Sequence, residues 1–270
     1  MGLAVDGKHV PVEEVSNNSE RGIIYVATGA RYVKEAEVSA QSVRRWMPEM
    51  PTTIWTDDPA RVRQSLFTEI RKIEKPSFSF LDRFDPFCGT PYAKTLYLDT
   101  DTLLLGSVHE VFAILDRFDF ACAHGPVRGT DSPELLAACP AAFVEPNAGV
   151  FAYNRNAETI RLFQLWAERY QQQLREFSHR KNDQPSLRRL LWESSIRFVT
   201  LPPEYNLRTP FPVFSGRMPV KILHGREPAL SRAAKKINLH SQSIRIYDFS
   251  KKTLSDRIRR LVTGRRKIKS

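Results

Sequence analysis

The sequence predicts an α/β fold, a mainly parallel mixed sheet flanked by helices and folded as a single domain. Short apolar runs that suit buried strands alternate with segments of helical periodicity through the first half of the chain. The strongly apolar run at 95–98, TLYL, stops at an acidic pair, as a central strand does where it leaves a sheet. A chain of 270 residues with 41% hydrophobic content can bury a substantial core.

The elements follow in order. Residues 1–20 are polar and aperiodic and read as a flexible extension. GIIYVATG is an apolar run ending in Gly29, a buried first strand with a loop behind it. Tyr32, Ala36, Ala40, Val43 and Met47 recur at helical spacing, so a helix follows and ends before Pro48. TTIWTDD at 52–58 is a second strand and FTEIRKI at 67–73 a candidate third. KTLYLDTDTLL is a central strand ending at Asp99. FDFACAH at 118–124 and AGVFAYN at 148–154 are two more. Ile160, Phe163, Ala167, Tyr170, Leu174 and Phe177 mark one face of a helix over 157–177. A short helix covers 184–193, and VKILHG at 220–225 is a late strand. The segment 126–146 between two core strands is rich in Pro, and a long loop there is either a binding element or a surface excursion.

Charge and cysteine content exclude several classes. The net charge is +11, but nine Lys or Arg and one Asp in residues 250–270 supply +8 of it. The body is only weakly basic, which argues against a nucleic-acid footprint. Three cysteines without a CxxC, Cys88, Cys122 and Cys139, give neither a disulfide framework nor a zinc site, and reduced thiols are expected. No apolar run approaches the ~20 residues of a membrane span. The N-terminus lacks a basic start followed by an apolar run, and Asp6 argues against myristoylation. The expected location is cytoplasmic.

The chemistry concentrates at Asp99 and Asp101. Carboxylates at i and i+2 of an extended chain lie on the same side. Two ionised carboxylates in one small volume repel unless a cation sits between them, and a hard divalent ion suits both. The alternative is a polar turn after a strand. LDTDTL also fits the start of a haloacid-dehalogenase-like phosphatase, with Asp99 as nucleophile. That reading needs the motif near the start of the domain and a downstream acidic pair; about ninety residues precede Asp99, and no such pair follows.

Six segments stand in order: YVATGARY, TLYLDTDTLL, PNAGVFAYNR, NDQPSLRRLLW, LPPEYN and KILHGR. Over roughly residues 22–226 this set resembles nucleotide-diphospho-sugar transferases of the GT-A fold, and is most similar to retaining glycosyltransferase family eight, the glycogenin and lipooligosaccharide galactosyltransferase type. The resemblance implies a GT-A domain over 21–245 and a metal-dependent hexosyltransferase acting on an acceptor hydroxyl. It implies Mn²⁺ or Mg²⁺ on Asp99, Asp101 and His224; the mixed O/N set suits Mn²⁺ somewhat better. His240 and His124 are weaker metal candidates. It implies donor binding by Ala27, Thr28, Arg83, Asp99, Thr100, Asp101, Asn147, Ala148, Asp183, Gln184, His224 and Gly225, with Asp183 and Gln184 as the catalytic pair. Asn147 is equally a turn residue, and Asn182 or Asp183 is equally a helix cap.

One departure bears on the donor. Many family members carry an acidic residue in the first loop, where this chain has Gly29. Asp57 is expected to supply a base contact instead. A UDP-sugar is the favoured donor and a GDP-sugar the alternative, with a glycan or glycolipid as acceptor. A catalytically inactive sugar-nucleotide-binding protein is the remaining reading.

The tail, 246–270, carries Leu254, Ile258, Leu261 and Val262 on one helical face, surrounded by Arg257, Arg259 and Arg260. Such a basic amphipathic helix lies on an anionic membrane or stays solvated. Each basic residue near such a surface contributes about 1 kcal/mol. Removing residues 251–270 is expected to abolish co-sedimentation with anionic liposomes; equal sedimentation of both forms would remove the membrane role.

Overall fold

The computed structural model describes residues 20–125, 139–176, 182–209 and 218–238, with the backbone of 213–215 and 245–247. The N-terminal extension, most of the 126–146 loop, His240 and the amphipathic face of the tail lie outside the described residues.

The main sheet has seven strands in the order β3-β2-β1-β4-β7-β6-β8. They are β1 (Arg21–Ala27), β2 (Thr52–Thr56), β3 (Glu69–Lys72), β4 (Lys94–Leu98), β6 (Phe120–His124), β7 (Pro146–Asn154) and β8 (Phe198–Leu201). All neighbours run parallel except β7, which is antiparallel to both β4 and β6. The sheet is therefore mainly parallel and mixed, as expected.

Alternation along β1 shows why both faces are covered. Ile23, Tyr25 and Ala27 pack with Val33, Ala36, Ala40 and Val43 of helix α1 (Ala30–Trp46) on one face. Ile24 points to the other face and joins a cluster with Trp166 and Tyr170 of helix α4 (Ala157–Glu176). That second face is aromatic. Phe87, from the short helix α2 (Phe84–Cys88), lies 4.7 Å from Tyr97, 5.1 Å from Phe151 and 5.2 Å from Phe163, ring centre to ring centre. Helix α3 (Glu110–Ile114) covers the α1 side, and helix α5 (Gln184–Glu193) packs beside α4 and β7.

The expected element positions hold where the apolar pattern is strong, and differ in four places. Tyr32 is turned outward, 39% exposed, because α1 buries Val33, Ser39 and Ser42 along with the expected alanines. On α4 the buried stripe is Thr159, Leu162, Phe163, Trp166, Tyr170 and Gln173, rotated from the expected face because Trp166 fills the space over Phe87. The run after Asp101 is a separate strand, β5 (Thr102–Leu104). It pairs antiparallel with β11 (Ile222–His224), which pairs parallel with β9 (Leu207–Arg208) in a three-stranded second sheet. Finally, β12 (Arg245–Tyr247) pairs with β10 (Val213–Ser215) across the expected boundary at 245. A last short helix, α6 (Ala229–Ala234), packs on β11.

Phe87 is fully buried. Phe87→Ala should cost about 3–5 kcal/mol, because the surrounding rings cannot close the space. Urea denaturation checks this; a loss under 1 kcal/mol would mean that the aromatic face repacks.

Candidate functional site

Asp99, Thr100 and Asp101 bridge the two sheets, from the carboxyl end of β4 to the start of β5. Asp99 is fixed by its backbone N–H, which donates to the Gly149 carbonyl on β7 at 2.7 Å. The register of the second sheet sets His224 opposite Thr102, and so beside Asp101. His224 Nε2 lies 3.2 Å from Asp101 Oδ1 and 3.6 Å from Asp99 Oδ2. One donor atom from each of these three residues falls within 4.8 Å of the others, the one such group among the described residues. Gly149 makes this possible, since a side chain there would collide with the His224 ring and the Asp99 carboxylate. Gly225 takes φ +153°, and its N–H donates to the Asp101 carbonyl at 2.9 Å. A side chain at 225 would strike Thr209.

A polar chain orients the imidazole. His224 Nδ1 lies 2.8 Å from Asn206 Oδ1, and Asn206 Nδ2 donates to Asn147 Oδ1 at 2.7 Å. Asn147 Nδ2 donates in turn to Gln184 Oε1 at 2.7 Å, and the Ala148 N–H donates to the same oxygen at 3.2 Å. With Nδ1 engaged, Nε2 faces the carboxylates. That is how a second contact fixes the ring orientation of a metal-ligating histidine. Two carboxylate oxygens, one oriented imidazole nitrogen and a glycine that clears room for them form a donor set that fits Mn²⁺ or Mg²⁺.

The second cluster is built on Arg83, which is 4% exposed. Its guanidinium pairs with Asp183 and lies 3.6 Å from Asp99 Oδ1. It is bracketed by the rings of Phe80 at 4.4 Å and Trp166 at 5.6 Å. Burial alone would lower the Arg83 pKa, but Asp183, Tyr97 and Asp99 outweigh it and keep the group charged. Tyr97 donates to Asp99 Oδ1 at 2.6 Å. Burial and the neighbouring Asp99 charge push that phenol well above its ordinary range, so it remains a donor. Asp183 heads helix α5 without capping it; the Asn182 side chain accepts the Gln184 N–H instead, at 3.1 Å. Asp183 is thereby left to hold Arg83.

Both clusters border a cleft of about 610 Å³, within the ordinary size of ligand pockets. It opens over the carboxyl ends of β1 and β4, the edge where such sheets bind ligands. Thr28, Arg83, Asp99, Thr100 and Asp101 line it. Ala27 does not: it is packed against α1 in the core. Asn147, Ala148, Asp183 and His224 are buried behind the cleft wall. His124 stands apart, its Nδ1 accepting the Glu145 N–H at 3.1 Å. Asp57 accepts the Gly29 N–H at 2.7 Å and is not among the residues that line the cleft.

Sequence reasoning passed over six residues. Tyr97 was legible, being two positions before Asp99 on the same strand face. Asn206 and Arg226 end two of the quoted segments, LPPEYN and KILHGR. Arg226 lies 3.6 Å from Asp101 Oδ2 and 3.8 Å from Glu35 Oε1. Glu35 also accepts from Thr100 Oγ1 at 3.1 Å. Neither Glu35 nor Asp82 carried a sequence signal, because each reaches the site from an unrelated segment, and Gly149 acts only through what it leaves out.

The fold is GT-A, a Rossmann-like arrangement. It is similar to the crystal structure of the galactosyltransferase LgtC in complex with donor and acceptor sugar analogues. The TM-score is 0.53 at 15% identity, covering 80% of this chain and 96% of that one. No family model matches the sequence, and no curated protein does.

Asp101 gives the site a measurable acid signature. Burial alone would raise its carboxyl, but His224, Arg226 and Arg208 hold it down at about 2, against an ordinary 3.8. A carboxyl depressed by folding contributes stability above its unfolded value and loses it as pH falls through the folded one. The contribution, about 2 kcal/mol, is full above roughly pH 5 and vanishes towards pH 2. In metal-free protein, Asp101→Asn should flatten the acid limb of stability by about that amount; parallel limbs in urea titrations would exclude Asp101 as its source.

Proposed function

We propose that this chain is a metal-dependent glycosyltransferase of the hexosyltransferase type, moving a sugar from a nucleotide-diphosphate donor to an acceptor hydroxyl with retention. The observation that carries the reading is the convergence of Asp99, Asp101 and His224 within 4.8 Å at a cleft in a GT-A fold. The catalytic unit begins at 21 and runs through β12, past the expected boundary at 245, with the residues on either side as extensions.

Asp99, Asp101 and His224 would hold Mn²⁺ or Mg²⁺, which as a Lewis acid neutralises charge gathering on the leaving diphosphate. The chain's own groups do the rest. Arg226, half exposed beside Asp101, supplies positive charge toward the phosphates. The Arg83–Asp183 pair forms a rigid, charged wall next to Asp99. Asp183, buried behind the cleft wall, acts on the donor sugar by fixing Arg83, and Gln184, held by Asn147 and the Ala148 N–H, supports the reactive face. An amide is a poor nucleophile, so the acceptor attacks on the face the diphosphate leaves, with Gln184 as electrostatic support.

UDP-sugar is the favoured donor and a glycan or glycolipid the acceptor, with the 126–146 segment shaping the acceptor side. No helix among the described residues is long and apolar enough to cross a membrane. A cytoplasmic enzyme touching the membrane through its tail is the proposed setting.

In a thermal-shift screen, UDP-sugars should raise the melting temperature with Mn²⁺ present and not without it. Asp99→Asn should remove that dependence and lower transfer roughly 10²-fold. Unchanged Mn²⁺ dependence in the variant would take the acidic pair out of the mechanism. NMR of the product reads the anomer in the same assay, and an inverted product would refute retention.

A further inference from the structure

Each carboxylate of the acidic pair has an arginine beside it, and the two arginines are held differently. Arg83 lies 3.6 Å from Asp99 Oδ1, buried and pinned by Asp183. Arg226 Nε lies 3.6 Å from Asp101 Oδ2, but its side chain is 51% exposed and the same nitrogen is almost as near, at 3.8 Å, to Oε1 of Glu35. The guanidinium thus stands between two carboxylates from distant segments, over the Tyr32 ring at 5.8 Å. Both separations exceed hydrogen-bond length, so the attraction to each carboxylate is one of charge.

Glu35 projects from α1 and is fixed toward the site. Its Oε2 accepts the Thr100 hydroxyl at 3.1 Å, which ties it to the residue between the two aspartates. Its Oε1 is shared by Arg226 and by Arg31, which lies 3.0 Å away. Arg31 is 65% exposed, and a pair in open solvent offsets little of the Glu35 charge. Glu35 itself is 23% exposed, so its charge reaches Arg226 with less solvent between them.

We infer that Glu35 is a positioning residue for the cation site: it is the second anchor of Arg226, and by drawing that guanidinium it keeps Asp101 open to a divalent ion. This rests on the metal-dependent reading above. Arg226 and a divalent ion draw on the same Asp101 carboxylate, and their like charges oppose each other there. An arginine with no other partner would neutralise Asp101 as Arg83 neutralises Asp99, and the ion would have to displace it. With Glu35 at 3.8 Å, the guanidinium has a counter-charge to lean on and stays at the rim of the cleft. Glu35 is not among the three residues whose donor atoms converge, so its effect passes through Arg226.

Calorimetric titration of the full, metal-free chain with Mn²⁺ alone tests this. Glu35→Gln keeps an oxygen that can accept from Thr100 and loses the charge, so it should weaken Mn²⁺ about threefold. Arg226→Gln removes the contending charge and should tighten Mn²⁺ about threefold. In that second background, Glu35→Gln should change Mn²⁺ affinity by less than about 1.5-fold, because the residue it acts through is gone. A Glu35 charge felt by the ion directly would cost the same with and without Arg226. Equal costs in both backgrounds, or no cost in either, overturn the role of Glu35. Arg226→Gln carries the test if the Glu35 variant does not fold: unchanged or weaker Mn²⁺ there means that Arg226 does not contend for Asp101, and the inference fails. If the wild type takes up no Mn²⁺, the metal-dependent reading itself fails and takes this one with it. If Mn²⁺ binds and the two substitutions are not coupled, only Glu35 falls.

Discussion

Thr102 and His224 face each other across β5 and β11, and the candidate site depends on that pairing. Asp99 belongs to the end of the seven-stranded sheet, while Asp101 runs into the small one. A shift of one residue between β5 and β11 would turn His224 to the opposite face, because side chains alternate along a strand. The carboxylate pair would then lose the imidazole and keep Tyr97, Arg83 and Arg226 as neighbours. The second sheet thus supplies the imidazole nitrogen and the geometry in which it meets two carboxylate oxygens.

Buried polar contacts stiffen that geometry. The run Gln184–Asn147–Asn206–His224 joins helix α5, strand β7, the segment before β9 and strand β11. The Asn147 and Asn206 amides each donate and accept, so a rotation at either leaves a neighbour unpaired in a dry environment. Asp183, next to Gln184, carries the constraint to Arg83 and from there to Asp99. Groups from distant parts of the chain are consequently held as one unit behind the cleft wall, and the more exposed part of the cleft is left to Thr28, Arg226, Phe78 and Phe80.

Several strong local patterns were legible in sequence. Continuous apolar runs in GIIYVA and TLYL marked strands, because a strand buried on both faces must be apolar throughout. The DTD at the end of that run marked two carboxylates in one small volume, because residues at i and i+2 of an extended chain lie on the same side. The face of α4 was misjudged by one position because helical spacing alone does not say where a large ring such as Trp166 finds space. The separate strand β5 was missed because three residues carry no periodicity.

By itself the sequence determined an α/β chain with a mainly parallel mixed sheet, and an acidic pair at the end of one strand; both follow from local periodicity and composition. Only the tertiary structure decided that Asn206, Glu35 and Asp82 reach the site, that Asp57 serves a backbone N–H and not the cleft, and that Ala27 is core. Those outcomes depend on pairings between segments tens of residues apart. No local pattern records such pairings, because strand register and helix packing are settled by which distant surfaces can be buried together.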